Sequence, residues 1–142
     1  MRHAEKVDDS QDPPLSGAGE ARARALAGVL ADAGLDATYA SQYRRTRQTA
    51  KPAADAAGIE VRIAPIEGEI AAWAGPFAET LIERHGGETV LVVGHSNTVP
   101  ALVAKLCDCT IQPLTDADYD HLYIVERASG RPARLIRARY GN

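Results

Sequence analysis

Long apolar runs are missing from this 142-residue chain. No stretch approaches the roughly 18 consecutive apolar residues that suggest a membrane span, so no membrane partner is expected. No secretory leader pattern is visible at the start, and a cytoplasmic location is the default expectation. Cysteine is nearly absent, the only two being Cys107 and Cys109 on either side of Asp108. A disulfide framework needs more numerous and more widely spaced cysteines, and a structural zinc site needs about four ligands. Two free thiols near a helix end are the expectation. Positive charge is not in excess either. The net charge of -3 argues against general nucleic-acid binding. Aromatic residues make up only 5% of the chain, and beside the cluster Arg44, Arg45 and Arg47 only Tyr39 and Tyr43 could stack on bases. Internal repeats and low-complexity linkers are also absent. With 45% hydrophobic residues the chain suffices for one domain, residues 1–142, with a real core.

What is present is an alternation of helical and strand patterns. Ser16 is placed to cap a helix running to about Ala33, with Ala21, Ala25, Val29 and Ala33 stacked at four-residue spacing beside Leu26 and Leu30. Gly34 fits the position just past its end. A short strand over residues 37–40 leads into Ser41, and a helix follows from about Tyr43 to Ala57, stopped by Gly58. Pro52 is expected to kink or divide that helix. Residues 60–64 read as a strand and 71–85 as a helix interrupted near its start by Gly75-Pro76. The apolar run 89–93 suits a parallel strand buried on both faces. Residues 99–107 form a helix that tolerates Pro100 in its first turn. Strands at 121–126 and 133–139 flank the Ser129-Gly130 turn. The order implies an α/β fold: a three-layer α/β/α sandwich on a mostly parallel sheet, with one antiparallel strand near the C-terminus.

Three segments end apolar runs with phosphate-friendly residues: Arg2-His3, Ser41 through Arg45, and His95-Ser96-Asn97. If those runs are parallel strands, all three segments meet at the carboxyl rim of one sheet, where ligands bind in open α/β folds. A largely neutral imidazole at His3 can attack phosphorus and form a phosphohistidine. Arg2 offers a planar, permanently charged fork for phosphate oxygens. The bland reading of the pair is a frayed terminus. Arg44, Arg45 and Arg47 open a helix, and their different faces mean that at least one is solvated. A buried strand ending in Gly94, then His95, then small polar residues fits a histidine that stabilises phosphoryl charge. One phosphate can bridge two imidazoles only if their rings lie within about 10 Å of each other.

Together, Arg2-His3-Ala4-Glu5-Lys6, Pro13-Pro14-Leu15-Ser16, the stretch Ser41 to Ala50 and Gly94-His95-Ser96-Asn97 resemble the histidine phosphatase superfamily, the phosphoglycerate mutase-like group. The resemblance implies that His3 is the nucleophile, that Arg2, Arg45 and His95 hold the phosphoryl oxygens, and that Ser41 and Asn97 contribute further hydrogen bonds. It implies a phosphomonoester or phosphohistidine hydrolase with a covalent phosphohistidine intermediate. Its substrate would be a phosphorylated small molecule or a phosphoprotein, and no metal or other cofactor is expected. It also implies a six-stranded sheet with one antiparallel strand, here His121 to Glu126.

Two departures from the family pattern stand out. A general acid often follows the third strand, and here Glu67 and Glu69 compete for the place, with Glu5 and Asp12 weaker candidates. The family's first strand precedes Arg-His, inside the sheet, whereas only Met1 precedes Arg2. A truncated product or a misassigned start codon is expected on that ground, with unpaired strand edges and a nucleophile on a loose terminus. The rival function is therefore a non-catalytic phosphate-binding or interaction module. Substrate identity and oligomeric state are not legible.

Overall fold

A computed structural model describes residues 1–141. Four helices and five strands alternate along it: α1 (Gly17–Val29), β1 (Ala37–Ala40), α2 (Arg44–Ala57), β2 (Val61–Ile63), α3 (Ile70–Arg84), β3 (Val90–Val93), α4 (Thr98–Cys107), β4 (His121–Glu126) and β5 (Arg134–Arg139). The main sheet is parallel, in the order β2-β1-β3, with Thr38 opposite both Val61 and Leu91. Successive side chains of a strand face opposite ways, and that alternation builds the three layers. Ala40, Leu91 and Val93 pack with Leu26 of α1 and Ala50 and Ala53 of α2. Ala37, Tyr39, Val90 and Val92 pack on the other face, against Ala78 and Leu81 of α3 and Leu102 of α4.

Local chemistry sets the element ends. The Ser16 hydroxyl accepts the Gly19 N–H at 3.2 Å and caps α1. That helix stops at Val29, short of the expected Ala33, because the chain tightens into i→i+3 bonds from Ala31 to Gly28 and from Ala33 to Leu30. Helix α2 is capped from a distance, since Asp12 Oδ1 accepts the Arg44 N–H at 2.8 Å. It runs unbroken through Pro52 and ends at Gly58, whose φ of +69° is left-handed.

Three expectations need correction. The six-stranded sheet is instead five strands in two sheets, and His121–Glu126 pairs antiparallel with β5 alone, outside the parallel sheet. The start of the chain is not loose. Met1, Arg2 and His3 are buried and lie parallel to the end of β3, with Arg2 bridged to Gly94. The Met1 nitrogen donates to the Val92 carbonyl at 2.9 Å, and Gly94 donates back to the Met1 carbonyl at 2.9 Å. Cys107 and Cys109 are not free thiols but a disulfide, because Asp108 takes a left-handed φ of 50°. That turn brings the two Cα atoms to 5.2 Å, within bridging range.

Gly19 of α1 backs directly onto the segment that follows His3, and a Cβ there would overlap the Glu5 carbonyl. Gly19→Ala should lower the urea midpoint by an amount worth about 1–3 kcal/mol. Gly28→Ala, where a Cβ meets open space, should be neutral or stabilise by up to about 1 kcal/mol.

Candidate active site

The bridge between the chain start and β3 determines where the two histidines go. His3 donates its backbone N–H to the Gly94 carbonyl at 2.8 Å, so His3 and His95 leave neighbouring chains at the same rim. Gly94 has to be small here, because a Cβ would lie 2.8 Å from Thr98 Oγ1. The same Thr98 hydroxyl accepts the His95 N–H at 2.9 Å and fixes the start of α4. Thr49 of α2 ties in the other side. Its hydroxyl accepts the Ala4 N–H at 2.9 Å and donates to the Arg45 carbonyl at 2.7 Å. As a result the two imidazole centroids are 5.4 Å apart, well inside the span one phosphate can bridge.

Both rings are buried and neutral. Burial lowers the His3 pKa to about 4, against the raising effect of its bond to Ala4 and with help from Arg2 and Arg45. Burial, then Arg45, His3 and Arg2, lowers that of His95 to about 3. Hydrogen-bond partners assign the tautomers. His3 Nδ1 lies 2.7 Å from the Ala4 carbonyl, which can only accept, so the proton is on Nδ1 and the Nε2 lone pair is bare. His95 is the reverse: its Nδ1 faces Arg45 Nη2 at 3.4 Å, which can only donate.

The guanidinium groups complete the hollow. Arg2 Nη1 donates to the carbonyls of Thr115, Asp116 and Asp118 at 2.8, 3.1 and 3.4 Å, and the Arg2 head group lies 4.1 Å from the centre of the Tyr119 ring. Arg45 lies over the Tyr43 ring at 4.7 Å. Arg2 Nε, Arg45 Nε and Arg45 Nη1 are buried with no partner among the described residues. Buried N–H groups left unpaired are costly, and three of them beside two neutral imidazoles make a receptor for an oxyanion.

Other expected residues fall elsewhere. Asn97 is exposed at the cap of α4 and makes no capping bond with its side chain. The Ser41 hydroxyl is buried, and it contacts His95 Nε2 and Thr46 Oγ1, both at 2.8 Å. Glu67 and Glu69 are exposed, Glu69 at the cap of α3. Glu5 is locked on Arg22 by three bonds of 2.7–2.9 Å; burial raises its pKa, but Arg22 outweighs that and leaves it below the usual range. Exposed Asp12 is occupied by its bond to Arg44. Arg44 and Arg47 are exposed along an open groove of about 650 Å³ on the outside of α2, which touches neither histidine. Thr46, Thr49 and Tyr119 also build the site. The first two sit inside the Ser41–Ala50 stretch, at helical spacing on its buried side. Tyr119 comes from a loop with no pattern to reveal it.

Comparison with known proteins bears on the family and the fold. The sequence model of the histidine phosphatase superfamily (branch 1) matches residues 1–74. No curated protein sequence matches. Among solved structures, the protein histidine phosphatase SixA complexed with tungstate superimposes with a TM-score of 0.73 at 21% identity, covering 98% of this chain and 94% of that one. YhfR of Bacillus stearothermophilus gives a TM-score of 0.73 at 22% identity, with 95% and 92% covered. A mycobacterial glucosyl-3-phosphoglycerate phosphatase in complex with VO3 gives 0.71 at 18% identity, with 96% and 94% covered.

The two buried rings also tie stability to pH. They stay neutral in the native protein down to about pH 4 and 3, whereas in the unfolded chain they protonate below about 6.5. Acid therefore protonates the unfolded state first, and stability should drop as pH falls from about 6.5 toward 4. Urea midpoints at pH 7 and 4.5 measure the drop, and His95→Gln should lessen it.

Proposed function

The chain belongs to the histidine phosphatase superfamily, and on that premise we propose that it hydrolyses phosphomonoesters or phosphohistidine through a covalent intermediate on His3. The observation that carries the reading is the pair of buried, neutral imidazoles 5.4 Å apart with the Nε2 lone pair of His3 bare. Nε2 attacks phosphorus as the bond to the leaving oxygen or nitrogen breaks. Arg2, Arg45 and His95 hold the three equatorial oxygens, where transition-state charge gathers. Water then attacks the phosphohistidine, releases phosphate and restores the neutral ring. Residues 1–142 act as one domain.

The state of the candidate general acids bears on the substrate. Glu5 is bonded to Arg22 and Glu67 and Glu69 are exposed, so leaving groups that depart readily are favoured. Few insertions stand over the hollow to retain a phosphorylated product for re-transfer, which favours hydrolysis over a mutase reaction. The substrate is a phosphorylated small molecule or a phosphoprotein. Two similar structures carry names of both kinds, a protein histidine phosphatase and a glucosyl-3-phosphoglycerate phosphatase. Phosphate binding without turnover uses the same hollow and is the competing reading.

Turnover of p-nitrophenyl phosphate separates the two. Wild-type protein should release p-nitrophenol, His3→Ala should not, and Arg45→Ala should lower kcat by roughly 10²–10³-fold with its fold intact. Vanadate should inhibit and EDTA should not. Equal rates in wild type and His3→Ala would leave only the binding reading.

A further inference from the structure

Behind His95, away from the hollow, lies a chain of two hydroxyls whose direction can be worked out from either end. Thr46 Oγ1 lies 2.9 Å from the Tyr43 carbonyl and 3.2 Å from the Ser41 carbonyl. Carbonyls only accept, so the single Thr46 hydroxyl proton points at them. The contact between Ser41 Oγ and Thr46 Oγ1, 2.8 Å long, must then use the proton of Ser41. With its own proton spent, Ser41 can only accept at its 2.8 Å contact with His95 Nε2. That places the proton of the neutral ring on Nε2. The Arg45 contact at Nδ1 reaches the same tautomer independently. All three residues of the chain are buried, so water does not compete for these bonds.

This tautomer has a consequence for anion binding. A bare Nδ1 lone pair turned to the hollow repels a phosphoryl oxygen, and only a protonated Nδ1 can donate to it. We propose that Ser41 and Thr46 are positioning residues that hold the His95 proton on Nε2, so that His95 takes up a proton at Nδ1 when a tetrahedral oxyanion binds. The inference deepens the phosphatase reading and rests on it. For a monoester monoanion the O–H bond of its P–OH group breaks as the Nδ1–H bond forms, and the P–O bond stays intact; for a dianion the proton comes from solvent, and no electrons change hands. The uptake gives His95 a mobile proton at the reacting phosphoryl group.

The groups that face His95 fit this role. Arg45 and Tyr43 face it from the start of α2, and His3 and Arg2 from the chain start. Tyr43 lies edge-on, 5.3 Å between ring centroids. Burial, and after it the positive charges of Arg45 and Arg2, keeps the ring neutral. Asp12 acts on Arg45 and is not among the groups acting on the ring. A bound dianion reverses the balance at Nδ1, with Nε2 already donating to Ser41.

Sulfate, a dianion throughout the neutral range, is the probe. In nitrogen-15 spectra of the free wild-type protein, His95 should carry its proton on Nε2 with Nδ1 bare, and sulfate at pH 6 should protonate both nitrogens. Titration calorimetry at pH 6 in two buffers of different ionisation enthalpy should report uptake of about one proton per sulfate. Thr46→Val frees the Ser41 hydroxyl to donate to Nε2, which moves the ring proton to Nδ1 and should abolish the uptake. Thr46→Ser should restore it. A ring protonated on Nδ1 in the free wild-type protein overturns the proposal without any variant. So does sulfate binding with no proton uptake in wild type, or uptake unchanged in Thr46→Val. Steady turnover of p-nitrophenyl phosphate alongside any of these results would sink the tautomer proposal alone, while loss of sulfate binding would sink it together with the anion site.

Discussion

The pairing of Met1, Arg2 and His3 with the end of β3 is the constraint on which the site depends. A few backbone hydrogen bonds, among them His3 to Gly94 at 2.8 Å and Gly94 to Met1 at 2.9 Å, set two distant stretches of chain side by side. Once they are adjacent, the imidazoles can hardly avoid each other. Gly94 allows the approach, because the side chains of Thr98 and Val99 fill the space that a Cβ would need. Thr49 holds the far side by bonding Ala4 and the Arg45 carbonyl with one hydroxyl. Most polar residues in this region are buried, which the fold tolerates because nearly all their hydrogen-bonding capacity is used internally. The exceptions are the guanidinium N–H groups of Arg2 and Arg45, and these are the ones that a bound oxyanion would satisfy.

Burial and tautomer together divide the labour between two chemically identical side chains. Each histidine is desolvated enough to stay neutral. What distinguishes them is the atom at the back of each ring. A carbonyl behind His3 leaves its Nε2 lone pair bare, and a hydroxyl relay behind His95 leaves the Nδ1 lone pair bare. Partners of this kind cost little and act over a single bond length, yet they decide which nitrogen reacts.

Much of the fold was legible because its strands and helices carry unmixed signals. The strand at Ala37–Ala40 and that at His121–Glu126 were bounded as found, and the other elements within a few residues. The end of α1 was misplaced because its alanine spacing continues through a turn that the backbone tightens after Val29. The pairing of the last strands into a separate sheet depends on long-range packing that periodicity does not encode. The disulfide was missed for a different reason: its closure depends on one left-handed residue, Asp108, and aspartate announces that conformation weakly. In the site, residues that carry charge or a ring were visible from type and spacing. Thr46 and Thr49 were not, since a buried threonine in a helix reads as ordinary packing until its hydroxyl partners are known.

The grip of Arg2 on residues 115–118 has a bearing on how the protein is made. Its guanidinium bonds carbonyls 113, 114 and 116 positions away, and its ring contact is to Tyr119. One wall of the hollow therefore exists only once a contact spanning 113 positions has closed, among the last that loop-closure entropy allows to form. A partly folded chain holds the His3 imidazole without the wall that Arg2 and residues 115–119 build beside it.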